Sequence, residues 1–205
     1  MKVMRLAPEG RIIVLPLFLL TGFILYLTVT MTTSLTLFAI SFGILVFCLN
    51  FFRDPIRIVP QGKNLILAPA DGKIVKITKV NDPELGESQL VSIFLNVFDV
   101  HANRMPIEGT FKNVKYRKGK FLAAFDHKAS DENERTEITI ISKVGTIKVK
   151  QIAGLIARRI LCYAKKGESM EMGGRLGFIR FGSRVDIIVP EKFQLDVSLG
   201  DIVKG

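Results

Sequence analysis

From Ile12 to Phe52 the chain carries no charged residue; beyond Arg53 it turns into short apolar runs and alternations, broken every few residues by Gly, Pro, Asp or Asn. A membrane-spanning helix needs only about 20 predominantly apolar residues, so the uncharged run holds two short ones. The polar, β-branched stretch TVTMTTS, Thr28 to Ser34, is the natural break between them. The run is too long for the apolar core of a signal peptide, and no small-residue cleavage site ends it. Residues 1–52 therefore predict a membrane-associating α-helical hairpin with both ends on one side. Lys2, Arg5 and Arg11 precede the run and Arg53 and Arg57 follow it, and positive flanks predict the cytoplasmic side of the cell membrane.

The remaining residues, 53–205, read as one mainly β domain. "FFRDPIRIVP" leaves the membrane, with Pro55 and Pro60 stopping regular structure. "LILAPADGKIVKITKV" predicts strands on both sides of a turn at Asp71-Gly72. "TFKNVKYRKG" and "TEITIISKVGTIKVKQIAG" alternate, the latter with a hairpin at Val144-Gly145-Thr146. "LIARRILCYA" fits a strand or a short helix, and "DHKASDENERTE", residues 126–137, reads as a long polar loop. "IRFGSRVDIIVP", 179–190, is a late strand with Gly-Ser at its start.

Residues 53–205 carry 26 Lys and Arg against 18 Asp and Glu, an excess of +8. Beside a membrane anchor this excess points to the anionic leaflet, with "KNVKYRKGK" (112–120) its densest patch; the same patch also fits a solvated strand face. With no Trp and no interleaved aromatic platform, nucleic acid is not expected as a partner. The cysteines, Cys48 and Cys162, form no spaced pattern, so neither a disulfide framework nor a metal site is expected.

Ser183 follows Gly182, which leaves the carbonyl just upstream sterically open. Its Oγ can attack that carbonyl through a five-membered ring, an intramolecular reaction of high effective concentration. An N-to-O acyl shift turns the amide into an ester, elimination releases the upstream chain, and the dehydroalanine left behind hydrolyses to a pyruvoyl group. By itself Gly-Ser is a common dipeptide and equally marks a β-bulge. A base and an orienter are available in His101, at the polar end of an apolar strand, and in Asp71, at a turn. A histidine at a strand end is also a common structural residue, and His127, in the polar loop, is a weaker candidate.

These residues carry a resemblance to the short, bacterial-type phosphatidylserine decarboxylase proenzymes, a pyruvoyl-dependent family. It spans nearly the whole chain: the apolar hairpin, "FFRDP" (51–55), "PADGKI" (69–74), "FLNVFDVHANRMP" (94–106), "FLAAFDHKASDENER" (121–135) and "MGGRLGFIRFGSRVDIIVP" (172–190). The resemblance implies a compact, β-rich, barrel-sandwich-like catalytic domain. It implies cleavage between Gly182 and Ser183 into chains 1–182 and 183–205, which stay together as a heterodimer or a higher oligomer of it. It makes Ser183 the source of a covalent pyruvoyl cofactor that forms a Schiff base with the phospholipid, with His101 and Asp71 as its catalytic partners. Long-form relatives carry a second histidine where this chain has Arg104, so that residue's role does not carry over. Arg104, Arg180 and Arg184 are candidate contacts for the substrate headgroup, since a guanidinium fork suits phosphate and carboxylate.

Two other readings compete. "ESMEMGG" resembles the hairpin tip of biotinyl and lipoyl carriers, but Glu171 stands where the modified lysine would be. A membrane-anchored β adaptor without chemistry would keep its chain intact.

Overall fold

A computed structural model describes residues 4–31, 34–62, 64–120, 132–154, 159–180 and 183–205. The chain forms two compact units, Met1–Ile56 and Arg57–Gly205. The boundary falls four residues after the expected 52/53 division, because Arg53–Pro55 forms a strand that belongs to the first unit.

In that unit the uncharged run forms two helices, α1 (Pro8–Met31) and α2 (Leu35–Phe51). Proline opens α1, where the missing N–H breaks no helical hydrogen bond. The base of the hairpin is closed by two antiparallel strands, β1 (Met4–Leu6) and β2 (Arg53–Pro55), and by a hydrogen bond from Ala7 N to Phe52 O at 2.7 Å. Helix α1, at 24 residues, is long and apolar enough to cross a membrane; α2, at 17 residues, is shorter. Both helices expose large apolar side chains, Leu19 at 71% and Leu35 at 70% among them. Apolar surface on this scale is stable against lipid or protein rather than water, which supports membrane association of the hairpin.

The described residues of the second unit are mainly β. Its large antiparallel sheet has eight strands: β3 (Gly72–Asp82), β4 (Gly86–Leu95), β6 (Gly109–Arg117), β7 (Arg135–Ser142), β8 (Gly145–Ala153), β10 (Ser169–Met170), β12 (Ser183–Pro190) and β13 (Ile202–Val203). They lie in the order β10-β6-β7-β8-β12-β4-β3-β13. A small sheet adds β5 (Ala102–Arg104), β11 (Arg175–Ile179) and β9 (Ile160–Cys162), in the order β5-β11-β9. Side chains alternate along each strand, so Leu95, Ile140, Val149, Val185 and Ile187 of the large sheet share one core with Met105, Leu176 and Ile179. Strand β12 lies between β8 and β4 and is buried on both faces as far as Val189.

Three segments differ from the sequence expectation. Residues 65–71 form no strand. Their backbone bonds instead to the β5 region, with Leu67 N on Pro106 O at 2.9 Å and Arg104 N on Pro69 O at 2.8 Å. Gly72 opens β3 with φ 149, and a Cβ there would stand 2.3 Å from Phe94 O, so this glycine serves a close strand approach rather than a hairpin turn. The polar stretch at 126–137 ends in β7 from Arg135 onward, while its residues 126–131, His127 included, lie outside the described residues. Strand β9 settles Ile160–Cys162 as extended. The hairpin at Val144-Gly145 joins β7 to β8, with Ser142 paired to Gly145.

The β3–β4 turn is held by charge. Asp82 accepts from the backbone N–H of Glu84 and Leu85 and from Lys148 Nζ at 2.5 Å. Burial disfavours the charged form of Asp82, but these donors outweigh it and hold the carboxyl below its ordinary range. Glu84 is lowered chiefly by its hydrogen bond from Lys112. A depressed folded-state pKa contributes stability above the unfolded value, which is lost as pH falls through the folded one. Acid titration followed by circular dichroism should therefore show stability falling below about pH 4, the ordinary carboxylate range. Lys148→Met should shift that loss to higher pH.

Candidate active site

Ser183 is the first residue of β12, opposite Leu95 of β4 on one side and Ala153 of β8 on the other. It is fully buried, on the core face it shares with Val185 and Ile187. Its Oγ has no hydrogen-bond partner among the described residues. A hydroxyl placed there by packing alone would leave a donor and an acceptor unpaid for in the core, so the position asks for a chemical reason. The carbonyl it would attack belongs to Gly182, which lies outside the described residues.

His101 is also fully buried, immediately before β5. Its carbonyl accepts from Ile179 N at 3.3 Å, which ties it to the end of β11, four residues before Ser183. The imidazole lies beside the Phe178 ring, with centroids 6.3 Å apart. Its Nδ1 sits 3.0 Å from the carbonyl oxygen of Asp99. A carbonyl only accepts, so Nδ1 carries a proton and, whenever the ring is neutral, its basic lone pair lies on Nε2, which is buried. The orienting bond is thus supplied by backbone.

Asp71, expected as that orienter, is held by other groups. Arg57 Nη2 donates to its Oδ2 at 2.6 Å and the backbone N–H of Gly205 to its Oδ1 at 2.9 Å. Residues 69 and 104 share a backbone hydrogen bond, so the loop carrying Asp71 is nevertheless joined to the strand that follows His101. The partner Arg57 and the C-terminal Gly205 were not legible as site neighbours, since 14 and 134 positions separate them from Asp71.

The three arginines part company. Arg184, expected as a headgroup contact at the surface, is 1% exposed. Its Nε donates to Asp186 Oδ1 at 2.7 Å and its Nη2 to Ser92 Oγ at 2.6 Å, on the face of β12 opposite Ser183. The strand alternation makes Arg184 and Asp186 neighbours, which a turn at Gly-Ser would not. Arg104 is half-buried in β5, opposite Arg175. Arg180 is half-buried just after β11, with a buried Nε that has no hydrogen-bond partner among the described residues.

Removing one member of a buried ion pair leaves the other charge stranded, which costs about 3–5 kcal/mol. Arg184→Met should therefore lose that much in chemical denaturation, and Arg184→Met/Asp186→Leu much less. The Cys162 thiol is pushed up by burial, partly opposed by a hydrogen bond from Ala164, and so stays protonated and unreactive.

Together these features define a β-sheet protein whose interior holds a serine at the start of a central strand and a histidine, its Nδ1 proton fixed by backbone, tied to the segment leading into it. Comparison with known proteins gives that class a family. The phosphatidylserine decarboxylase family model matches residues 44–205. A phosphatidylserine decarboxylase proenzyme of Chlorobaculum tepidum is 42% identical over 200 residues, covering 96% of this chain and 93% of its own. Proenzymes of the same name from Wolbachia pipientis wMel (48% identical, 88% of this chain and 84% of its own) and Ralstonia nicotianae (50%, 78% and 75%) are also similar. The chain belongs to the phosphatidylserine decarboxylase family.

Proposed function

We propose that this chain converts phosphatidylserine to phosphatidylethanolamine and carbon dioxide, after cutting itself between Gly182 and Ser183. The observation that carries the proposal is the buried Ser183 Oγ without a partner among the described residues, at the head of β12 and four residues after Ile179, whose N–H bonds to the His101 carbonyl.

In the first stage His101 takes the Oγ proton as the oxygen attacks the Gly182 carbonyl. Nitrogen leaves with a proton, and the amide becomes an ester. Loss of the Ser183 α-proton then expels the Gly182 carboxylate and forms dehydroalanine. Its enamine hydrolyses, consuming one water and releasing one ammonia, and a pyruvoyl group heads chain 183–205. The residues fit such a group: the position is small, buried and flanked by strands that hold it on both sides. When present, a pyruvoyl carbonyl supplies an electron sink for the pair left on the substrate Cα as carbon dioxide departs.

The chain's own residues do the rest. His101 returns a proton to Cα. Arg180, three residues before Ser183, and Arg104, three after His101, contact the headgroup phosphate. Arg184 remains a structural ion pair. The smaller product stays bound because β12 is hydrogen-bonded along both edges, which supports a heterodimer. The apolar hairpin holds the enzyme at the membrane with its β unit in the cytoplasm, where the basic excess favours the anionic leaflet. Of the patch at 112–120, Lys112, Arg117 and Lys120 already face Glu84, Glu137 and Glu132, which leaves part of it for lipid.

Intact-mass measurement on the purified wild-type protein tests this reading. Two fragments are expected, ending at Gly182 and beginning at position 183, the smaller lighter by one ammonia than a hydrolytic product. An uncut chain that leaves phosphatidylserine untouched would return the protein to the adaptor class.

A further inference from the structure

Strand β8 sends one polar side chain into the core. Gln151 is fully buried, and its Nε2 donates to Oδ1 of the equally buried Asn103 on β5 at 2.8 Å. The contact joins the two sheets. Asn103 Nδ2 and Gln151 Oε1 have no hydrogen-bond partner among the described residues. Exchanging O and N in both amides changes nothing: the pair still satisfies itself once and leaves one N–H₂ donor and one carbonyl acceptor unused.

The place of the pair is specific. Gln151 is opposite Val185, and Ser183 precedes Val185 on the same face. Diagonal neighbours in an antiparallel pair lie roughly 7–8 Å apart, within reach of a glutamine. Asn103 is two residues after His101. Room for the amide is kept by Gly177, where a Cβ would stand 2.5 Å from Gln151 Nε2. Two amides that served only to join the sheets would not each leave a buried polar atom over, because a leftover buried donor or acceptor is destabilising.

We propose that Asn103 and Gln151 form the headgroup-reading subsite for an α-amino acid joined to phosphate through its side-chain oxygen, its carboxylate and amine free. The unused N–H₂ binds the carboxylate destined to leave, and the unused carbonyl accepts from the amine on the same carbon. This deepens, and rests on, the decarboxylase reading above. Substrate differs from product by that carboxylate alone, so the donor distinguishes the two and loses its ligand when carbon dioxide departs.

The experiment uses the full chain in mixed micelles, with two readouts. Intact mass gives the cleaved fraction. Reductive capture by cyanoborohydride of phosphatidylserine or phosphatidylethanolamine on chain 183–205 gives lipid recognition without turnover. Asn103→Leu/Gln151→Met removes both amides together, so neither is left stranded. It should cleave like the wild type, while its preference for capturing phosphatidylserine over phosphatidylethanolamine drops about 100-fold, the worth of a hydrogen bond to a charged group. Asn103→Asp keeps the bond from Gln151 but sets carboxylate against carboxylate, and should lose phosphatidylserine capture alone. A wild-type preference in both variants overturns the proposal, as does a folded, uncleaved double variant beside a cleaved wild type. If thermal melting shows the double variant unfolded, Asn103→Asp decides by the same criterion. A wild-type chain that never cleaves removes the underlying reading, and is seen before any variant is compared.

Discussion

Ser183→Ala should purify as one uncut chain of 205 residues with no conversion of phosphatidylserine, while the wild type appears as two fragments. The effect is complete rather than partial because one residue serves twice. It is the nucleophile that opens the Gly182–Ser183 bond, and its carbon framework is the source of the carbonyl that decarboxylation needs. The variant should also be at least as stable as an uncleaved wild-type chain. Ser183 Oγ is buried with no partner among the described residues, and deleting such a group removes a desolvation penalty without stranding anything. A serine kept for structure would show the reverse, lower stability on substitution. Denaturant unfolding of Ser183→Ala, with intact mass, therefore separates chemistry from packing. A wild-type chain as uncut as the variant would sink the reading.

His101→Ala should slow self-cleavage by about 10²–10⁴, the usual worth of a positioned general base. The rate is read as the fraction of fragment 183–205 formed with time after synthesis. The Asp99 carbonyl fixes the proton on Nδ1, so the lone pair is presented from Nε2 and its loss removes a specific proton acceptor. His101→Gly opens a ring-sized space, and added imidazole should restore part of the rate. A histidine that only packs against Phe178 would give a variant that imidazole does not rescue. A rate unchanged in His101→Ala would assign the proton transfer to another group. Asp71→Asn should have the smaller effect, since Asp71 is held by Arg57 and Gly205.

Patterns that depend on neighbouring residues were legible before any coordinates. The uncharged run gave the helices, alternation gave β6, β7, β8 and their hairpin, and the open carbonyl of a Gly-Ser pair raised the chemistry at Ser183. The loop at 65–71 was misread as strand because its apolar residues satisfy strand periodicity, while its backbone hydrogen bonds go to Pro106 and Arg104, which the local pattern does not contain. Arg184 was misread for a similar reason. A guanidinium next to the candidate serine suits a phosphate or carboxylate, and only a strand flanked on both edges shows that its neighbour two places on, Asp186, is its buried partner.

The sequence by itself determined the membrane-competent hairpin and the mainly β character of the described residues beyond 57, and raised the chemistry proposed at Gly182–Ser183, because each depends on side-chain type and spacing within a few residues. Tertiary structure alone decided which groups meet: Asp71 on Arg57 and Gly205, and Asn103 on Gln151 across two sheets. Those pairings come from strand order and register, which bring together residues up to 134 positions apart. Hydrogen bonding in a buried core is selective at the scale of a tenth of a nanometre, and no local pattern carries that information.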